Sequence, residues 1–226
     1  MSAIETIEQI VQLAEDCKLS ESFFEKANPF LHHLAVKQGI EDIQALFLAL
    51  FVERSSSFRS TDLSDIAEIL DCRAVSILKY VPQIDELVKN HFLKEKTDYN
   101  DRANFFVPKK VIEALSNDVK YERESYQSKD VREFLTRFYE FTHAYYHDEL
   151  SYSFMCDEVK LLFAENEELK FVQVVKKLDL DFDDEMILTH FCRHLYIHNH
   201  DVLETENLTF LLKDDCRKRQ LVESLA

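Results

Sequence analysis

The hydrophobic positions of residues 61–107 follow first a helical and then an extended pattern. Apolar residues recur at helical spacing over residues 63–70, directly after Thr61 or Asp62, either of which can cap a helix N-terminus. A tight turn follows, and helical spacing resumes over residues 74–92. The remaining residues place a polar stretch between two β-compatible ends. This order predicts a winged helix, in which a helix-turn-helix is followed by a small β-wing.

Amphipathic patterns also precede this segment. They predict a helix over residues 2–17 and a second helix capped by Ser20, with Pro29 expected to kink or interrupt it. Together the two predict an N-terminal helical hairpin. A strongly apolar stretch over residues 41–53 then predicts the first helix that a winged-helix core needs.

Helical patterns continue beyond the predicted wing. Pro108 begins the next predicted helix, because the N–H that proline lacks is not needed in a first turn. Residues 116–129 are polar and lack strong periodicity. We therefore place a domain boundary here, which predicts one domain over residues 1–118 and another over residues 119–226.

The second domain repeats this helical pattern. Its predicted helices cover residues 130–146, a stretch from residue 154 onward, residues 169–178 and residues 186–197. In the last of these, the residues expected to face the core are Ile187, Leu188, Phe191 and Leu195. A further apolar stretch, with polar interruptions, covers residues 202–212. The fold class is thus mainly α, and the second unit is interpreted either as plainly helical or as winged-helix-like.

Composition and charge narrow the classes of function. The chain has 226 residues, 46% of them hydrophobic, which is enough to bury a sizeable core. Its only glycine is Gly39, so neither the P-loop nor the glycine-rich dinucleotide fingerprint can be written in this sequence. The formal net charge of −16 opposes the approach of nucleic acid unless basic residues gather on one face.

The cysteines and the N-terminal residues bear on the cellular compartment. The five cysteines are widely spaced, form no Cys-x-x-Cys pair, and are expected to be reduced and mostly buried. The chain begins with acidic and polar residues, and no apolar run reaches membrane-spanning length. We therefore expect a cytoplasmic protein that makes no membrane contact.

Histidines at helical spacing raise the question of a metal site. His190 and His194 lie four residues apart, with His198 and His200 beyond them, and such a pair can share one metal ion. The catalytic zinc pattern requires a glutamate directly after the first histidine, where this chain has Phe191. We interpret these histidines as partly exposed residues of a helix surface.

Two further groups of polar residues can be interpreted either as sites of chemistry or as structural features. His143 and His147 share the same spacing and precede two acidic residues, so metal binding competes with aromatic packing among the neighbouring tyrosines. Asp183, Asp184 and Glu185 fit acids at a helix N-terminus on a solvated surface. We expect no catalytic residue, no metal and no cofactor in this chain.

Basic residues in and around residues 61–107 form a candidate nucleic-acid surface. If the wing lysines gather beside the candidate recognition helix over residues 73–91, they form a strip that could contact phosphates. The net charge of −16 favours an ordinary solvated face instead. The residues concerned are Arg73, Lys79, Lys89, Lys94, Lys96 and Arg102, followed by Lys109 and Lys110.

The order of elements resembles that of a known family. The winged helix at residues 61–107, the segment EVKLLFAENEELKFV at residues 158–172, the acidic helix start before Met186 and the closing residues 208–225 carry the resemblance. Together they are similar to the region that precedes the ATPase module in large bacterial AAA+ ATPases, and the similarity covers most of the chain from about Ile40 onward. It implies that the nucleotide-binding motifs lie downstream and that this chain is the amino-terminal, non-catalytic part.

The expected function is a protein-interaction or regulatory region. Apolar faces on the N-terminal hairpin would supply the contact, and the expected partners are another protein or the downstream ATPase domains. The helical pattern that reaches Ala226 without a C-cap fits a longer parent chain. Two alternatives remain open: a winged-helix DNA-binding transcriptional regulator, and a metal enzyme built on His190 and His194.

Overall fold

The molecule is mainly helical, with one small sheet among the residues that its computed structural model describes. These are residues 1–55, 61–97, 102–198, 206–212 and 217–218. They divide into two compact units, unit 1 (Met1–Arg123) and unit 2 (Glu124–Ala226). The mainly α fold class is confirmed.

Unit 1 consists of helices interrupted by a two-stranded antiparallel hairpin. Its elements are α1 (Ala3–Ala14), α2 (Glu21–Gln38), α3 (Asp42–Ser55), α4 (Leu63–Ile69), α5 (Ala74–Ile77), a 3₁₀ turn (Leu78–Tyr80), α6 (Val81–Lys89), β1 (Lys94–Thr97), β2 (Ala103–Phe106) and α7 (Lys109–Ser116). The hairpin lies where the sequence predicts the wing.

Local side-chain contacts define the ends of the first two helices. Ser2 and Glu5 form a reciprocal capping box at the start of α1, which satisfies backbone N–H groups that have no partner within the helix. Ser20 accepts a hydrogen bond from the N–H of Phe23, which confirms the predicted cap of α2. Gly39 ends α2 in the left-handed conformation, with φ of 72°.

Pro29 does not interrupt α2, so that part of the prediction is wrong. The helix is continuous from Glu21 to Gln38. Pro29 cannot donate to the Glu25 carbonyl, but both residues are exposed and water can satisfy that oxygen. The opposite face of α2 is buried through Ala27 and Leu31, and this packing maintains the helix on both sides of the proline.

The core of unit 1 surrounds α3. All residues from 45 to 51 are fully buried, as expected for a helix that is apolar on every side. The ring centroid of Phe47 lies 5.4 Å from that of Tyr80, and Phe51 lies 5.5 Å from Phe105. Helix α3 therefore holds both the 3₁₀ turn and the hairpin.

The candidate recognition helix is broken, and the prediction of one helix over residues 74–92 is wrong. It is divided into α5, the 3₁₀ turn and α6. Pro82, at the start of α6, has no N–H to donate to the carbonyl of Leu78. The N–H of Val81 donates to that carbonyl instead, which closes a tighter turn.

A third segment pairs with the hairpin. Thr61 and Phe105 exchange two backbone hydrogen bonds, of 2.9 Å and 2.8 Å, in an antiparallel bridge. Because Thr61 is used in this pairing, the cap of α4 is Asp62, which accepts from the N–H groups of Ser64 and Asp65 at 2.8 Å and 2.9 Å.

Unit 2 is built from helices around an aromatic core. Its elements are α8 (Val131–Tyr146), α9 (Tyr152–Glu165), α10 (Lys170–Lys177), α11 (Phe182–Arg193), a π-helical turn (His194–His198) and α12 (Glu206–Thr209). Phe134, Phe138 and Val159 are completely buried. The described part of unit 2 contains no strand, and residues 199–205, on which a winged-helix-like interpretation depends, lie outside the described residues.

The face that helix α11 turns inward differs in part from the one predicted, although Leu188 packs against the core as expected. Phe191 and Leu195 are 37% and 38% exposed, whereas Met186, His190 and Arg193 are buried. The two sets lie on adjacent stripes of one helix, so periodicity alone does not choose between them. Packing against the aromatic rings of α8 makes the choice. None of the described helices is long and apolar enough to cross a bilayer.

Candidate functional site

Three of the eight basic residues considered for nucleic-acid contact lie in or directly before the broken helix. Arg73 is the exposed residue before α5, and Lys79 is exposed with its Nζ 4.6 Å from the centroid of the Tyr80 ring. Lys89, at the end of α6, has its Nζ 3.1 Å from Glu86 Oε1. The break leaves no continuous helix of the kind that readers of the DNA major groove insert.

Three more of these basic residues belong to the hairpin, and the last two, Lys109 and Lys110, begin α7. Lys94 and Lys96 are two positions apart on β1 and therefore share one face of the sheet, opposite Phe106 and Asn104. Both lysines are half-buried, and Arg102 is exposed just before β2. The structure thus brings the two lysines of β1 together on one strand.

The exposed side of the broken helix also carries apolar side chains. Val75 is 65% exposed and Leu78 is 56% exposed, and their spacing of three residues places them on one side of a helical segment. The edges of DNA bases are read mainly by polar side chains, with apolar contact restricted to the thymine methyl group. We call this surface, which is formed by Val75 and Leu78, the α5 face.

The apolar faces of the N-terminal hairpin are used inside unit 1. Ile7 and Ile10 of α1 and Phe23 and Leu31 of α2 are buried in its core. They are therefore not the open contact surface that the sequence suggested. Val36, which is 68% exposed, is the large apolar side chain that α2 leaves on the surface.

The rings of His143 and His147 pack against each other at the C-terminal end of α8, with their planes tilted by 52°. Their ring centroids are 4.2 Å apart and their Nε2 atoms 3.0 Å apart, so one ring donates to the other. Tyr139 and Tyr146 continue this aromatic packing, with centroid distances of 5.0 Å and 5.2 Å to His143 and His147. Within the described part of the chain, no group of three or more His, Cys, Asp or Glu residues could hold a metal ion.

His190 is not the partly exposed surface residue that the sequence suggested. Only 6% of its surface is exposed, and its ring lies 5.7 Å from that of Phe210 and 6.5 Å from that of Phe138. His194, four residues later, is half-buried. The side chain of His198 and the whole of His200 lie outside the described residues.

A pocket of about 290 Å³ opens between the ends of α8 and α11, within unit 2. Its α8 wall consists of the packed aromatic side chains of Tyr139, His143, Tyr146 and His147, and its α11 wall contains His190 and Arg193. None of the described residues that line it is acidic. In a chain with a net charge of −16, this pocket is lined by basic and aromatic side chains.

Arg193 is the buried cation of this pocket. It is 8% exposed, and its guanidinium carbon lies 3.5 Å from the centroid of the Tyr139 ring. Its Nε has no hydrogen-bond partner, and no carboxylate among the described residues forms an ion pair with it. Burial lowers the pKa of Arg193 from its usual value, and Tyr139 acts against this shift.

His190 is neutral at physiological pH. Burial, together with the nearby charges of Arg193 and His194, lowers the pKa of His190 to about 4. Its Nδ1 is buried and has no hydrogen-bond partner. Three buried polar atoms of α11 thus lack a partner, Thr189 Oγ1, His190 Nδ1 and Arg193 Nε, and the last two belong to residues that line this pocket. Such a group of unsatisfied atoms is unusual in a folded protein.

The acidic residues at the start of α11 lie at a helix N-terminus, as their sequence position suggests. Asp181 accepts from the N–H of Asp184 at 3.0 Å, and the side chain of Arg217 forms an ion pair with Asp181. Those two contacts lower the pKa of Asp181. Burial raises the pKa of Glu185, a shift that the sequence did not suggest.

The four cysteines among the described residues are free thiols. Cys156 is buried, Cys17, Cys72 and Cys192 are half-buried, and Cys216 lies outside the described residues. Burial raises the pKa of each of the four, which keeps it in the unreactive thiol form.

Sequence reasoning overlooked Arg193. Met186, His190 and Arg193 are spaced by four and three residues, so helical periodicity places the arginine on the face of a buried methionine. From that spacing, the burial of Arg193 could have been predicted. The contribution of His143 and His147 to the same pocket had no signal, because α8 and α11 are far apart in sequence.

Comparison with protein-family models, with curated proteins and with solved structures finds no match to this chain.

Proposed function

We propose that this chain is a non-catalytic protein-interaction region, and that unit 1 contacts its partner protein through the α5 face. The observation that carries the proposal is the exposure of Val75 and Leu78, at 65% and 56%, on the segment that follows α4. Apolar side chains at the centre of a contact gain free energy when a partner removes them from water. Lys79 beside them adds a charge at the rim, where it favours an acidic partner surface.

The DNA-binding transcriptional regulator remains the alternative. It would use Arg73, Lys79 and the β1 lysines, and it predicts binding to duplex DNA that weakens steeply as salt increases. The interrupted helix, the ion pair between Lys89 and Glu86, and the net charge of −16 support the protein-interaction proposal over this alternative.

We also propose that the parent protein is a AAA+ ATPase whose catalytic module lies downstream. The support is the element order α3, the bridging Thr61, α4, the broken helix and the β1–β2 hairpin, which is the order of a winged helix. An antibody raised against this chain should detect, in cells of its native source, a species far heavier than 26.7 kDa. A species at that mass would contradict the proposed parent.

Photo-crosslinking tests the α5 face. A benzophenone amino acid at position 78 should capture a protein in cells of the native source, and excess purified chain should compete for that adduct. The variant Leu78→Asp should not compete, because it places a charge in an apolar contact. Position 36 on α2 serves as the matched control, since Val36 is similarly exposed in the same unit.

Two outcomes would contradict the proposed function. The first is a protein adduct from position 36 but none from position 78. The second is duplex-DNA binding that falls steeply with salt and is lost in Lys79→Ala, which would establish the DNA-binding alternative.

A further inference from the structure

Two residues that line the pocket between α8 and α11 have side-chain nitrogens without a hydrogen-bond partner. The Arg193 guanidinium makes no hydrogen bond to a described residue, and its Nε is buried. His190 Nδ1 is buried and equally without a partner. Leaving a buried cation unpaired is costly, so a complementary anion would gain more here than at an exposed arginine.

The orientation of Arg193 leaves its donors available. Its guanidinium lies over the Tyr139 ring, at 3.5 Å, so the ring contacts a face of the guanidinium plane. Hydrogen bonds from a guanidinium are donated in that plane, along its edges, where they match the paired oxygens of a phosphate or carboxylate. Tyr139 therefore holds the cation in place without consuming its donors.

The rim of the pocket carries two imidazoles in addition to the fixed positive charge of Arg193. His143 and His147, both exposed, stand on the α8 wall with their Nε2 atoms 3.0 Å apart. A carboxylate carries one negative charge and is matched by Arg193 alone. A phosphomonoester carries close to two charges at neutral pH, and it offers three oxygens to several donors.

Besides His194, the remaining residue that lines the pocket is the apolar Phe210. The ring of Phe210 packs edge-on against His190 and Tyr146, with centroid distances of 5.7 Å and 5.3 Å. The pocket volume of about 290 Å³ is close to the lower end of the range for small-molecule pockets. This volume is larger than a phosphate group requires, so space remains for a small organic group.

We infer that this pocket binds a small phosphomonoester, with Arg193 as its buried anchor, His143 and His147 as rim donors, and the aromatic wall against its organic group. This site goes beyond the proposed protein interaction, which concerns unit 1, and the two can fail separately.

Calorimetric titration of the full chain tests the inference with three probes: phenyl phosphate, inorganic phosphate and benzoate. Phenyl phosphate should bind most tightly, and benzoate, which has the same ring but a single charge, at least about tenfold more weakly. Inorganic phosphate should fall below phenyl phosphate because it lacks the ring. If benzoate matches phenyl phosphate, the assignment of a phosphate site is wrong.

Variants assign the binding to this pocket. Arg193→Met keeps an unbranched side chain of similar length and should weaken phenyl phosphate at least about tenfold. His147→Ala alters an exposed residue, leaves the core intact, and should weaken it by a factor of about three. The matched control, His33→Ala, changes an exposed histidine of unit 1 and should bind like the unaltered chain.

A direct spectroscopic readout completes the test. Phenyl phosphate should shift the ¹⁵N resonance of Arg193 Nε, identified by its loss in Arg193→Met. If that variant does not fold, the comparison of His147→Ala with His33→Ala decides the matter. Absence of binding at about 10 mM phenyl phosphate, or equal binding by His147→Ala and His33→Ala, would refute the inference.

Discussion

Among the described residues of this glycine-poor chain, aspartate supplies most of the left-handed backbone positions. Positive φ angles between 46° and 60° occur at the ends of helices and in turns, at Asp16, Asp71, Asp118, Asp148 and Asp179. Asp tolerates this conformation better than most residues because its short side chain can hydrogen-bond locally. The chain thereby ends helices that other proteins end with glycine.

Gly39 occupies the one such position taken by glycine. We expect Gly39→Ala to destabilise unit 1 by about 1 kcal/mol, because a Cβ is strained at φ of 72°. The new Cβ would also lie 3.0 Å from Lys120 Nζ, but that flexible side chain can move away. Denaturant unfolding measures the change, and Gly39→Asn should cost less than Gly39→Ala. Equal losses for the two variants would contradict the backbone explanation.

His190 should make the stability of unit 2 depend on pH. Its pKa of about 4 lies below the ordinary value of 6.5, so the unfolded chain binds more protons between these limits. The contribution of neutral His190 to the free energy of unfolding is fully present above pH 6.5 and is lost as the pH falls toward 4. At pH 5 we expect the native state to be about 2 kcal/mol less stable through this residue alone than at pH 7.

The variant His190→Leu isolates this contribution. It removes both the titrating group and an unsatisfied buried Nδ1, so its free energy of unfolding should decrease less than that of the unaltered chain between pH 7 and pH 5. Urea unfolding, followed in unit 2 by hydrogen exchange, gives both values. Parallel pH profiles for the two proteins would mean that His190 is not buried as a neutral base.

At the scale of elements, two prolines have opposite effects on their helices. Pro29 lies within α2 at an exposed position, and the buried face of α2 keeps the helix continuous. Pro82 lies at the start of α6, where the Leu78 carbonyl instead accepts from Val81 and the chain forms a 3₁₀ turn. Tertiary contacts outweigh the helix-breaking tendency of the first proline but not that of the second.

Replacing Pro29 should strengthen α2. In Pro29→Ala the restored N–H can donate to the Glu25 carbonyl, and we expect a gain of about 1–2 kcal/mol in the free energy of unfolding. Part of the gain is offset because proline also restricts the unfolded chain. Lys26→Ala, at another exposed position of the same helix, should change stability by no more than about 0.5 kcal/mol. A loss of stability in Pro29→Ala would show that the helix depends on the proline.

At the scale of the whole molecule, each unit contains its own hydrophobic core. The core of unit 1 is centred on α3, with Phe47 and Phe51 fully buried, and the core of unit 2 is centred on Phe134 and Phe138. A domain with its own core can fold as a separate unit.

We therefore expect residues 1–123, expressed alone, to unfold in one cooperative transition. Phe51→Ala in this fragment should lower its free energy of unfolding by about 3–5 kcal/mol, because it leaves a cavity beside Phe105. Val36→Ala, at an exposed position, should have little effect. Circular dichroism during denaturation measures both. A fragment without a cooperative transition would contradict the independence of unit 1.

Much of the helical pattern could be predicted from the sequence because it depends on local interactions. The cap at Ser20 depends on the N–H of Phe23, three residues away, and the cap at Asp130 depends on Glu133 in the same way. The hairpin was readable because strands and turn lie within a few residues of one another. Such contacts involve neighbours in sequence, so spacing and residue type reveal them.

The features that the sequence did not predict depend on contacts between segments that are far apart in the chain. Whether Thr61 caps α4 or pairs in a bridge depends on Phe105, far along the chain. The face that α11 turns inward depends on its packing against α8, which buries His190 and Arg193 and leaves Phe191 on the surface. The sequence by itself determined the helical class, many of the caps and the absence of a glycine-rich phosphate loop. The tertiary structure alone brought Arg193 beside His143 and His147, because only packing fixes which stripes of two separate helices meet.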